Sequence, residues 1–260
     1  MTPDAPVVRN SGDPLAAESV PPAAHWKFWG TVLWGLLILG VFLGLQAAIV
    51  FWVLASTPGP LSESEFVTRY VSTAQSGYVF SLATIVTAVV GCLLIAGVIK
   101  LKKHSVLGDY LALSAVPRSV MLRWLVLLAG LIVVADVVTV HIGRPIVPEF
   151  MSEVYASAQP VWTLWVALLV AAPLFEETFF RGFLFRGFES SFLGAAGTVL
   201  LTAGLWALLH VQYDAFGISL VFTLGLLLGI ARARTGSLWL PLALHSAANL
   251  VATVETAVLT

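Results

Sequence analysis

An all-α, polytopic transmembrane bundle of about seven spans is the fold class this sequence predicts, and three observations predict it. Of the 260 residues, 59% are hydrophobic and only 10% are charged, whereas a soluble domain carries about 25% charged residues. The apolar residues collect in runs of about 20, the length that crosses a membrane as a helix. Basic residues fall almost wholly on alternate connections between those runs, as the positive-inside rule requires of a multi-span chain.

Residues 1–27 are rich in Pro, Ala and Ser with few large apolar side chains, and are expected to form a disordered cytosolic tail. The apolar run that follows is too long and begins too late for a cleaved signal peptide. A single membrane domain is therefore expected over 28–260. Its spans are predicted at 28–55, 78–98, 120–140, 161–188, 194–210, 216–231 and 238–259. Residues 107–117 are mixed in polarity and are expected at the membrane interface.

A cytosolic N-terminus puts Arg9, Lys27, Lys100, Lys102, Lys103, Arg118, Arg123, Arg181, Arg186, Arg232 and Arg234 inside, with Arg69 and Arg144 outside. That bias predicts an integral plasma- or inner-membrane protein in contact with lipid. Trp26, Trp29, Trp52 and Trp239 lie near span ends, where interfacial anchors belong. A net charge of −1 gives no reason to expect a nucleic-acid partner. The single cysteine, Cys92, allows neither an internal disulfide nor a cysteine-rich metal site, and is read as a packing residue. Asp136, near the outer end of its span, is read as snorkelling or locally hydrogen-bonded. The Gly40/Gly44 and Gly225/Gly229 pairs are read as helix-packing points.

The chemistry-bearing stretch lies in the fourth span, at Glu176, Glu177 and Arg181. Carboxylates inside a span are expensive and mark function by default. Glu177 and Arg181 are four apart, acid first, the favourable order for an intrahelical ion pair. Glu176 is then left to face something else. His210 closes the fifth span, with Trp206 four residues before it, and His245 and Asn249 share one face of the last span. Polar groups in three separate spans must face a common interior or wet cavity rather than lipid. At about 1.5 Å per residue, Glu176 and His245 come out at similar depths from the cytosolic side, while His210 comes out deeper.

A carboxylate in low dielectric suits proton transfer with water, histidine is a second proton carrier, and His245 beside Asn249 offers N–H donors for an oxyanion. Together these describe amide hydrolysis by activated water. The same carboxylates and histidines are also zinc ligands, which leaves metal-assisted hydrolysis open. No His-Glu-x-x-His zinc motif and no Gly-x-Ser-x-Gly elbow occurs. Tyr213-Asp214 has no Gly-x-Gly-Asp partner: 106–109 reads Val-Leu-Gly-Asp.

Glu-Glu-x-x-x-Arg at 176–181, aromatic-x-x-x-His at Trp206 and His210, and His-x-x-x-Asn at His245 and Asn249 resemble the CPBP family of CAAX prenyl proteases and bacteriocin-processing or self-immunity proteins. The stretch 235–245 resembles that family's approach to its third motif. The resemblance covers about residues 160–255. It implies an intramembrane endopeptidase acting on a membrane-anchored peptide or protein, in which Glu176 with His210 activates water. It also implies that His245 and Asn249 form the oxyanion site and that Glu177 and Arg181 hold the geometry. No cofactor is implied by that mechanism; zinc on Glu176, Glu177, His210 and His245 is the alternative. Trp206 stands where phenylalanine is commoner in the family, a difference expected to touch packing rather than chemistry. A non-catalytic scaffold or self-immunity protein, and a proton-coupled transporter, are the other classes open to this pattern.

Overall fold

The computed structural model describes residues 24–56 and 62–260, and the described residues outside turns are helical. In chain order the helices are α1 (Phe28–Ala55), α2 (Glu63–Gln75), α3 (Gly77–Leu101), α4 (Leu107–Tyr110), α5 (Arg118–His141) and α6 (Glu149–Ser157). Then come α7 (Val161–Glu189), α8 (Gly194–Leu208), α9 (Ala215–Thr235) and α10 (Trp239–Leu259). Six of them, α1, α3, α5, α7, α9 and α10, are long and apolar enough to cross a membrane. The chain is a multi-pass membrane protein.

The seventh predicted span, 194–210, is the shorter helix α8, whose 15 residues rise about 22 Å. It nevertheless carries the chain from one end of the bundle to the other. One end is fixed by the Trp26 indole on the Val98 carbonyl, His25 with Ser190, and Ser114 with Gly236 and Ser237. The opposite end is fixed by Arg144 paired with Asp214, and by Gly77 bonded to Ser157. The connections therefore alternate between two ends as the sequence predicts, although one crossing is short.

Local sequence explains most helix ends. Ser62 and Glu65 form a reciprocal capping box at α2, and Asp214 accepts from the Gly217 N–H at 3.0 Å to start α9. Helix α9 stops at Gly236, whose φ of +62° places it in the left-handed region that glycine enters at little cost. Helix α7 follows Pro160 and contains two π-helical stretches, Ala167–Ala171 and Thr178–Leu184.

Helix α7 is the axis of the core. Phe175, Phe179, Phe180, Phe183 and Leu184 are buried against Ile38 of α1, Ile95 and Ile99 of α3, Leu228 of α9 and Leu244 of α10. Helix α5 is peripheral: it packs against α9 and α10, and only 6% of its most apolar window is buried. Its valines and leucines, such as Val126 and Leu122, thus face the hydrocarbon rather than a core.

Several expectations change. Residues 107–117 are packed into the bundle end: Tyr110 and Leu111 are buried, and the Leu238 N–H donates to the Ala112 carbonyl at 2.9 Å. Arg181 and Arg232, counted from sequence with the cytosolic connections, are buried inside the bundle, because each finds carbonyl acceptors there. Helices α2 and α6 were hidden from a hydropathy reading by their mixed polarity. Of the predicted tail, residues 1–23 lie outside the described residues, and 24–27 pack on α3 and Ser190 through the contacts above.

Close approach of α3 to α6 depends on Gly77. A Cβ there would overlap the Val154 carbonyl oxygen and stand 2.7 Å from the Ala158 nitrogen, both backbone atoms that cannot rotate away. Gly77→Ala is expected to destabilise the protein by about 1–3 kcal/mol, read as a lowered unfolding midpoint in detergent.

Candidate active site

The two glutamates face different partners, as consecutive residues about 100° apart on a helix must. Glu177 and Arg181 are both fully buried and paired at 2.9 Å. Arg181 also donates to the Gly225 carbonyl of α9 at 3.0 Å, and its guanidinium lies 4.7 Å from the Trp206 ring centroid. The same Glu177 Oε1 accepts from His245 Nδ1 at 2.8 Å. A chain Arg181–Glu177–His245 thus crosses from α7 to α10.

With Nδ1 engaged by Glu177, His245 turns Nε2 toward Glu176, 4.0 Å from its Oε2. That distance is within ion-pair range and beyond a direct hydrogen bond. Glu176 itself is partly open, its side chain 22% exposed, and it accepts a hydrogen bond from the indole Nε1 of Trp206. The expectation that Trp206 matters only for packing is corrected: its N–H is a donor to the site carboxylate, which phenylalanine cannot supply. Trp206 also meets His245 and His210 edge-on, with centroids 5.1 Å and 5.0 Å apart.

His210 follows the end of α8 and bonds through Nδ1 to the Trp206 carbonyl at 2.8 Å. A carbonyl only accepts, so Nδ1 carries the proton and Nε2 holds the lone pair. Tyr213 stacks on the imidazole, 6.2 Å between centroids, and burial pushes its phenol up. The greater depth estimated for His210 corresponds to its place beyond the helix end. It reaches the cluster through Trp206 rather than by its own bond to Glu176 or His245. The neighbouring Asp214 belongs to structure: the Gly217 N–H, then Arg144, hold its carboxyl below the usual range.

Asn249, one turn beyond His245, donates from Nδ2 to the Leu168 carbonyl at 2.8 Å. The reason lies in α7. In the first π-helical stretch the Ala172 N–H goes to Ala167, and the next residue, Pro173, has no N–H to give. Leu168 therefore lacks an intrahelical donor from either position, and Asn249 supplies one. The amide keeps a second N–H. The second π-helical stretch is stabilised likewise, since Arg232 Nε donates to the Arg181 carbonyl at 2.9 Å. Asn249→Ala is expected to cost about 1–3 kcal/mol for the stranded carbonyl. Adding Pro173→Ala, which restores an N–H in α7, is expected to recover part of that loss in the same unfolding assay.

The structure thus brings Glu176, Glu177, Arg181 and His245 together directly, with His210 joined through Trp206 and Asn249 through α7. Sequence reasoning missed the polar role of Trp206, and also Pro173 and Arg232. Only the proline had a local signal, a helix breaker three residues before the glutamates. Among the described residues no three His, Cys, Asp or Glu side chains converge as a metal ion needs. Glu177 Oε1 is shared by Arg181 and His245, and the Trp206 ring stands against both imidazoles.

Comparison with known proteins gives a relative and a family match. An uncharacterised 24.3 kDa protein of Escherichia coli is 33% identical over 143 residues, which is 51% of this chain and 63% of that protein. The chain thus spans somewhat under two thirds of the length of the curated relative it matches. No solved structure matches the chain. Residues 158–251, which hold every member of the site, match the family described as type II CAAX prenyl endopeptidase Rce1-like, and they are a domain of the CPBP family.

Proposed function

We propose that this chain is an intramembrane endopeptidase that hydrolyses a peptide bond of a membrane-anchored peptide or protein with a glutamate-activated water. The observation that carries the reading is the relay Arg181–Glu177–His245–Glu176 across two helices. Glu176 is the member of the pair with free access, so it takes the proton as water attacks the carbonyl carbon. The lone-pair nitrogen of His210 assists from the far side of Trp206. The oxygen that gains charge in the tetrahedral intermediate faces the Nε2–H of protonated His245 and the free N–H of Asn249. Collapse of the intermediate breaks the C–N bond, and the proton held at Glu176 goes to the leaving amine. Buried and bonded to Arg181, Glu177 supports the imidazolium that this requires of His245. No cofactor takes part.

Partners in this reading are bilayer lipid and the anchored substrate, in a plasma or inner membrane. The bundle end that carries Lys27, Lys100, Lys102, Lys103 and Arg234 would face the cytosol by the positive-inside rule, which puts the N-terminus there. The test is cleavage of a panel of membrane-anchored peptides, prenylated and not, by purified protein, with Glu176→Gln as control and with a chelator added. Cleavage lost in the variant and kept with chelator is expected. Cleavage lost with chelator would replace the glutamate-only chemistry with a metal.

A further inference from the structure

Trp206 touches four members of the cluster around Glu176. Its ring meets Arg181, His210 and His245, and its indole N–H ends on Glu176 Oε2. The Trp206 side chain is buried, 2% exposed. The same Oε2 is the atom His245 Nε2 approaches at 4.0 Å. We propose that the Trp206 indole N–H is a positioning donor that fixes the orientation of the Glu176 carboxylate, with Oε2 turned toward His245 and Oε1 left for water.

The chemistry follows from the donor type. Indole is donor-only, so it can stabilise a carboxylate but cannot accept a hydrogen bond from a carboxylic acid. It therefore holds the carboxylate in place without competing for the proton that the base takes. The helix supports this geometry. Trp206 lies four residues before His210, whose Nδ1 is tied to the Trp206 carbonyl, so one residue sets both the carboxylate and the imidazole tautomer. Close packing of α8 on α9 at Gly225, where a Cβ would stand 3.0 Å from the Trp206 ring, keeps the indole from swinging away.

The proposal rests on the endopeptidase reading for its kinetic arm only. Two variants remove the N–H: Trp206→Phe, and replacement of Trp206 by benzothienylalanine, which keeps the shape of the bicyclic ring. Each is compared with wild type at one pH near neutrality in two measurements. The first is the rate at which dicyclohexylcarbodiimide, which reacts with protonated carboxyls, labels Glu176, read by peptide mass spectrometry. A carboxylate no longer tied to the indole is expected to react several-fold faster in both variants. The second is peptide cleavage, where kcat is expected to fall about tenfold or more, as for a lost charge-assisted hydrogen bond, with KM within about twofold. A merely structural indole would leave labelling unchanged in the benzothienyl variant, and that result would overturn the proposal. So would faster labelling with unchanged kcat. The labelling arm reads the hydrogen bond whether or not wild type cleaves peptides, so the two readings fail separately.

Discussion

Glu176→Gln is expected to lower kcat for peptide cleavage by about 100- to 10,000-fold, the range general-base catalysis contributes, while the bundle stays folded. Glutamine keeps the size and an acceptor oxygen for the Trp206 N–H, but it cannot take a proton from water. The side chain is partly exposed and stands 4.0 Å from His245 Nε2, so its neutralisation breaks no direct hydrogen bond to that imidazole. Thermal unfolding in detergent is the control. An unchanged midpoint with lost turnover assigns the effect to chemistry, whereas retained turnover in the glutamine variant would remove Glu176 from the role of base.

Arg181→Met is expected to give the opposite signature, a fold effect first. Arg181 and Glu177 are both fully buried, and removing one partner of such a pair costs about 3–5 kcal/mol because the other charge is left unpaired. The carbonyl of Gly225 loses its donor at the same time. The double variant Glu177→Gln with Arg181→Met removes both charges, and is expected to regain much of the stability, since a buried pair replaced as a unit is close to neutral. It should remain inactive, because His245 would lose the carboxylate behind its Nδ1. Denaturant unfolding and peptide turnover on the three proteins check both parts. Equal stability of the single and double variants would mean the ion pair is not what holds α7 to its neighbours.

These expectations divide along what each residue touches, and that division was partly legible in the sequence. Spacing alone predicted that Glu177 would pair with Arg181 and leave Glu176 to look elsewhere, because i and i+4 share a helix face and consecutive residues do not. It could not say that His245 would be bonded to Glu177 rather than only set against Glu176. That depends on how α10 is rotated against α7, a contact nearly 70 residues away in the chain.

The membrane class and the positions of six long spans were determined by the sequence itself, which also singled out Glu176, Glu177, Arg181, His210, His245 and Asn249 as candidates. Hydropathy over about 20 residues, charge sidedness and i,i+4 spacing are local quantities that survive without knowledge of packing. Tertiary structure alone decided the rest: the indole N–H of Trp206 on Glu176, the Asn249 amide on the carbonyl that Pro173 leaves without a donor, and the burial of Arg181 and Arg232. Each is a polar group of one helix satisfying another helix in a medium with no water to do so, and such partners are chosen by helix rotation and register, which no local pattern encodes.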